Sequence, residues 1–184
     1  MIFFKKYRIR KAYAHLRKNE RLRTGSIKPT TIERAQFIQT IASIDSEESY
    51  KEMMRIINDL QTIGKKVQSA LFFSTKKLPL YITLGEIPEN ILLFTRKQTD
   101  SVFKNPHSIL RPFTENQADL LINLCSPSLL ISNQTIVYSK AHFRTSTTDS
   151  SCYYGDLLVI CDPSSSISER YQLIKDTLSI FKNH

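Results

Sequence analysis

Between residues 35 and 73 the chain passes from an apolar run through an amphipathic stretch into a second apolar run, and this succession limits the fold more than any other feature. Ala35–Ile44 carries Phe37, Ile38, Ile41 and Ile44, the pattern of a strand covered on both faces. Asp45 followed by Glu48 resembles a helix N-cap with its box partner. Tyr50, Met53, Met54, Ile57 and Leu60 then mark one helical face as far as Gly64, and Val67–Phe73 reads as the next strand. A strand, helix, strand unit of this length favours a parallel pair joined by a crossover.

The remainder repeats the alternation with interruptions. Pro79, Pro88, Pro106 and Pro112 break up residues 74–117, leaving Ile91–Phe94 as a short strand in mostly irregular chain. Asp119–Cys125 is a continuous apolar run of buried-strand type, and Ser126-Pro127 suits the start of a helix. That helix has to include the β-rich Thr135–Tyr138. Ala141–Thr145 reads as a further strand, Thr145–Ser151 as a polar loop and Asp156–Cys161 as the last buried strand. Ser166 and Glu169 form a capping pattern ahead of Ile167, Tyr171, Ile174, Leu178 and Phe181, which keep one helical face to the chain end. The expected architecture is an open, mainly parallel three-layer α/β sheet of the Rossmann-like or flavodoxin-like kind.

At 184 residues, with 41% hydrophobic and 23% charged residues, the composition is globular and suits one domain. No run approaches the roughly 20 apolar residues of a membrane span, and the apolar start Met1–Phe4 stops at Lys5. Cys125, Cys152 and Cys161 are an odd set at irregular spacing, so a reducing, cytoplasmic location is expected and a disulfide framework is not. They have no C-x-x-C pair to build a zinc site with His142, and Asp149, Asp156 and Asp162 follow no metal-loop pattern, so neither metal nor cofactor is expected.

Charge is distributed unevenly. Residues 1–30 hold ten Lys or Arg and a single acid, Glu20, whereas the other residues hold sixteen of each sign. The net charge of +9 therefore belongs to the leading segment. Residues 2–22 read as an amphipathic helix with Ile2, Ile9, Tyr13 and Leu16 on its apolar seam, and Phe3, Phe4 and Tyr7 off it. Gly25–Thr31 then links into the body, giving a 1–30 arm and a 31–184 domain. A helix dense in cations suits a polyanion, because each phosphate contacted releases condensed counterions, and free aromatics can stack on unpaired bases. The expectation is a non-enzymatic protein whose Lys5, Lys6, Arg8, Arg10, Lys11, Arg17, Lys18, Arg21 and Arg23 contact RNA, in a ribosome-associated setting by analogy. A structural or protein-binding arm and a peripheral membrane helix share the composition and stay open.

Enzymatic signatures are few. Gly25, Gly64, Gly85 and Gly155 are isolated, so neither a Walker loop nor a dinucleotide fingerprint is present, and G-x-S-x-G is absent. Ser139 beside Lys140 would face different directions on any regular element. Lys140, His142 and Arg144 fall at strand period and would share one sheet face, so they form a candidate anion site and the focus of an alternative small-molecule enzyme reading with loop 145–151.

The motif S-K-A-H-F-R at Ser139–Arg144, with the upstream D-L-L-I-N-L, resembles an uncharacterised bacterial family of small α/β proteins with a basic N-terminal helix. The resemblance spans most of the chain. It implies the α/β fold and brings no activity and no catalytic residue with it.

Overall fold

The computed structural model describes residues 13–20, 27–83, 85–98, 106–126, 129–148 and 154–183. Strands β1 (Phe37–Ile44), β2 (Lys66–Phe73), β3 (Ile91–Thr95), β4 (Leu120–Asn123), β5 (Phe143–Thr148) and β6 (Leu157–Ile160) form one sheet in the order β3-β2-β1-β4-β5-β6. Every neighbouring pair is parallel. This order is the Rossmann arrangement, with its reversal between β1 and β4.

The helices cover both faces. Residues 13–20 form α1, followed by α2 (Glu47–Thr62), α3 (Leu80–Thr83), α4 (Pro106–Thr114), α5 (Leu130–Tyr138) and α6 (Ile167–Ser179), with a closing 3-10 turn at Ile180–Asn183. Alternation along β1 sends Ile38, Ala42 and Ile44 into one core with Met53, Ile57 and Leu60 of α2 and Ile174 and Leu178 of α6. Ile41 faces the other core, with Leu110 and Phe113 of α4, Ile131 and Ile136 of α5 and Leu16 of α1. The sheet is thus the middle of three layers, and its central strands are apolar on both sides because both sides are covered. No described helix is long and apolar enough to cross a membrane.

The start of α2 differs from the sequence expectation by one residue. Ser46 is the N-cap: its Oγ accepts from the Ser49 amide at 3.1 Å, while Ser49 Oγ accepts from the Ser46 amide at 3.1 Å. A serine hydroxyl replaces the anticipated Glu48 carboxylate, and Glu47 and Glu48 remain in the first turn, where the helix dipole favours acids. At the other end Gly64 takes φ +80°, the Gly64 amide donates to the Gln61 carbonyl at 2.9 Å and the Lys65 amide to the Leu60 carbonyl at 3.0 Å. These are the two bonds of a Schellman stop, which needs a left-handed residue at that point. At α6 the anticipated Ser166 and Glu169 box is present, with Glu169 Oε2 accepting from the Ser166 amide at 2.7 Å.

Three expectations are corrected. Residues Thr145–Thr148 are not a loop but the buried body of β5. Their hydroxyls are satisfied inside the sheet: Thr145 Oγ1 donates to the Leu121 carbonyl at 3.1 Å, and Ser146 Oγ accepts from Asn123 Nδ2 at 2.8 Å. The strand at 157–160 is an edge, not buried, and Ile160 is 73% exposed. Residues 106–114 are helical although Pro112 lies within the helix. The remainder of the 145–151 run, and Cys152 with it, lies outside the described residues; Cys125 and Cys161 are free and buried.

Capping energetics give a direct check on the shifted start of α2. Ser46→Ala should destabilise the protein by about 1 kcal/mol in urea unfolding, the usual effect of losing an N-cap oxygen, whereas Asp45→Ala should change stability by much less.

Candidate functional site

Of the predicted basic helix, residues 13–20 are described, and they lie against the body. Leu16 is 1% exposed in the core under α4 and α5, and Tyr13 packs against the same cluster. Asn19 Nδ2 donates to Tyr138 Oη at 3.4 Å. Arg17 and Lys18 are exposed and form no ion pair among the described residues. Lys5, Lys6, Arg8, Arg10, Lys11, Arg21 and Arg23 lie outside the described residues.

Glu20, the one acid of the leading segment, is turned inward. Its Oε1 accepts from Arg144 Nη2 at 2.7 Å and its Oε2 from Arg144 Nη1 at 3.0 Å, a two-pronged pairing. Asp156 holds the other edge of the same guanidinium, accepting from Nε at 3.2 Å and from Nη2 at 3.0 Å. The Ile136 carbonyl at the back of α5 accepts from Nη1 at 3.0 Å. All five N–H donors of Arg144 are thereby engaged. Asp156 also accepts from the Arg144 amide at 2.9 Å, and its own amide donates to the Arg144 carbonyl at 2.7 Å, which fixes the chain entering β6.

This arrangement is buried: Arg144 is 1% exposed, Asp156 3% and Glu20 20%. Burial works against the arginine's charge, and the hydrogen bonds to Asp156 and Glu20 outweigh it, so its pKa stands above the ordinary value. One cation meets two carboxylates, so the cluster carries a net negative charge before its surroundings are counted. An additional anion has no open donor to meet there.

The trio Lys140, His142 and Arg144 is therefore not assembled as a surface anion site. Lys140 and His142 are exposed but precede the first residue of β5, at the amino-terminal end of the sheet, while Arg144 points under α5. Ligands of open α/β sheets sit at the opposite, carboxyl end. The enzyme alternative also drew on loop 145–151, of which residues 149–151 lie outside the described residues.

At the carboxyl end, where the strand order reverses, there is a cavity of about 260 Å³. Ser43 near the end of β1, Asp45 just after it, Ser74 after β2, Arg96 after β3 and Leu129 and Ile131 at the start of α5 contribute to its lining. None of these residues was a candidate from the sequence, because only the strand order brings them together. Cys125, two residues past the end of β4, is fully buried, and that burial raises its thiol well above the usual range.

Removal of one member of the Arg144 cluster has a defined effect. Arg144→Met leaves Asp156 buried without its cation and should destabilise by about 3–5 kcal/mol in urea unfolding. Replacing Asp156 by Asn and Glu20 by Gln in the same chain should recover a large part of that loss, since the uncompensated charges are then gone.

A comparison with curated proteins gave no match. A family model described as a family of unknown function, DUF6913, matches residues 5–181, spanning both the basic segment and the α/β body, and the chain belongs to that family.

Proposed function

We propose that this protein is a non-enzymatic RNA-binding protein whose basic segment meets phosphate while the α/β body serves as a docking module, ribosomal RNA being one candidate partner. The observation that carries the proposal is the inward engagement of Glu20. With that carboxylate bound to Arg144, the ten cations of residues 1–30 have no acid of their own segment left to neutralise them. Residues 13–20 dock on the body, and Arg17 and Lys18 stand exposed on this docked part. Cations carried on a docked helix, as Arg17 and Lys18 are, lose less freedom on binding than those of a tail without an anchor.

The same docking bears on the alternatives. Leu16 and Tyr13, two of the four seam residues, face the body, so this part of the helix has no apolar face left to insert into a lipid interface. The segment also has a structural role through Leu16 and Glu20, and for that reason removal of residues 13–24 would damage the body as well as the array. Tests of binding belong on residues 5–11.

Nine cations, Lys5, Lys6, Arg8, Arg10, Lys11, Arg17, Lys18, Arg21 and Arg23, form the proposed array. If all of them neutralise phosphates of a single strand, log affinity should fall against log salt with a slope near about −6. The variant with Lys5, Lys6, Arg8, Arg10 and Lys11 changed to Gln should keep its fold, bind a single-stranded oligoribonucleotide more weakly and show a slope near about −3. Salt-insensitive binding, or equal affinity of variant and parent, contradicts the proposal. So does association with phosphatidylserine vesicles by a chain that has no affinity for the oligoribonucleotide.

A further inference from the structure

A second arginine is buried, and it is treated quite differently from Arg144. Arg170, in the first turn of α6, is 6% exposed and lies on the inward stripe of that helix with Ile167, Ile174 and Leu178. Arg144 has two carboxylates and every donor met, whereas Arg170 reaches only main-chain carbonyls among the described residues. Its Nη1 donates to the Leu124 carbonyl at 3.1 Å and its Nη2 to the Pro163 carbonyl at 2.8 Å. Its Nε–H is buried and has no acceptor among the described residues. The start of a helix is also the end at which the dipole disfavours a cation.

Carboxylates close to the α6 start are committed elsewhere. Glu52 Oε2 accepts from the Ile167 amide at 3.1 Å and the Ser168 amide at 3.4 Å, and Asp162 Oδ1 is held by the amide and hydroxyl of Ser164. A buried charge is ordinarily paired, so the missing anion beside Arg170 is the feature that calls for a partner. Its place in the fold shows where that partner would sit. Leu124 is the first residue beyond β4, so the guanidinium stands at the carboxyl end of this strand, beside the reversal of strand order at which open α/β sheets bind ligands. The chain then enters α5, whose N-cap Leu129 makes no side-chain cap for the first amides of the helix. Cys125 connects the two features: it follows Leu124, its thiol is within hydrogen-bond reach of the Ser132 side chain in the first turn of α5, and it is close enough to Arg170 to feel its charge. The cavity of about 260 Å³ is lined by Leu129 and Ile131 and so gives room at the same helix start.

We infer that the carboxyl end of β4 binds a phosphate group, held between the Arg170 guanidinium and the uncapped start of α5. A guanidinium and a set of helix-start amides both select an oxyanion, and together they supply the counter-charge and the acceptor that Arg170 lacks. The connection from β4 to α5 contains no glycine, so the site suits a single phosphate group and not the pyrophosphate of a dinucleotide. Asp45, on the β1 side of the cavity, is exposed, and solvent screens its charge. The inference does not depend on RNA binding by the basic segment.

The test is a titration of the full chain with inorganic phosphate, followed by NMR chemical shifts, with sodium chloride adjusted to keep the ionic strength constant. Saturable shifts are expected at the amides of Cys125, Leu130, Ile131 and Ser132 and at the Arg170 Nε–H, all with one dissociation constant. In Arg170→Gln the same amides should report binding weaker by roughly 10-fold or more, the scale of one charge-assisted hydrogen bond. Shifts in residues 5–23 report phosphate on the basic segment and are read separately. Retained amide dispersion verifies the fold of the variant, and should it not fold, the Nε–H of the parent decides alone. An Arg170 Nε–H and helix-start amides that do not move at millimolar phosphate overturn the inference, as does equal affinity at those amides in parent and folded variant.

Discussion

A buried arginine organises this molecule. Arg144 sits on β5 beneath α5, where a charge is tolerated only if its donors are all met. Each partner comes from a different part of the chain: Asp156 from the approach to β6, the Ile136 carbonyl from α5 and Glu20 from α1. The guanidinium therefore ties the edge of the sheet, one covering helix and the leading segment to a common point. Gly155, beside Asp156, follows from this arrangement. Its φ is +129°, and a Cβ there would lie 3.3 Å from the Arg144 carbonyl, so the tight approach favours the one residue without a side chain.

The clamp also decides how the segment's charge is expressed. A lone acid among ten cations would ordinarily moderate its neighbours on the helix surface. Here it is withdrawn into the body, so the same contact that seats the segment removes its only internal counter-charge. Anchoring and electropositivity thus have one cause, and the family match, which begins at residue 5, includes segment and body together. The opposite end of the sheet presents a different chemistry, with Asp45 and Arg96 at the mouth of an apolar crevice.

Much of the fold was legible because its strongest elements are locally self-consistent. β1, α2, β2 and α6 combine β-branched or periodic apolar residues with capping hydroxyls, and both helices start within one residue of the expected point. α5 and β5 were harder for a shared physical reason: they are buried all round while rich in polar residues. Ser132 and Thr135 donate their hydroxyls to the Leu129 and Ile131 carbonyls one turn back, Thr145 donates to the Leu121 carbonyl of β4 and Ser146 accepts from Asn123 Nδ2 of β4, so polarity there does not signal solvent. The candidate anion trio failed on register: Lys140, His142 and Arg144 share a spacing, but β5 begins at Phe143 and only the last of them belongs to it. Glu20 carried no sequence signal beyond its singularity, and the meeting of the ends of β1, β2 and β3 with the start of α5 around one cavity follows only once the strand order is known.

Hydrogen–deuterium exchange of the full chain, with and without a single-stranded oligoribonucleotide, tests most directly whether the docked basic segment is the surface that meets RNA. Added protection concentrated in residues 5–23, with the carboxyl ends of β1, β2 and β3 unchanged, is the predicted pattern. Protection around Asp45 and Arg96 with no change in the segment would contradict it.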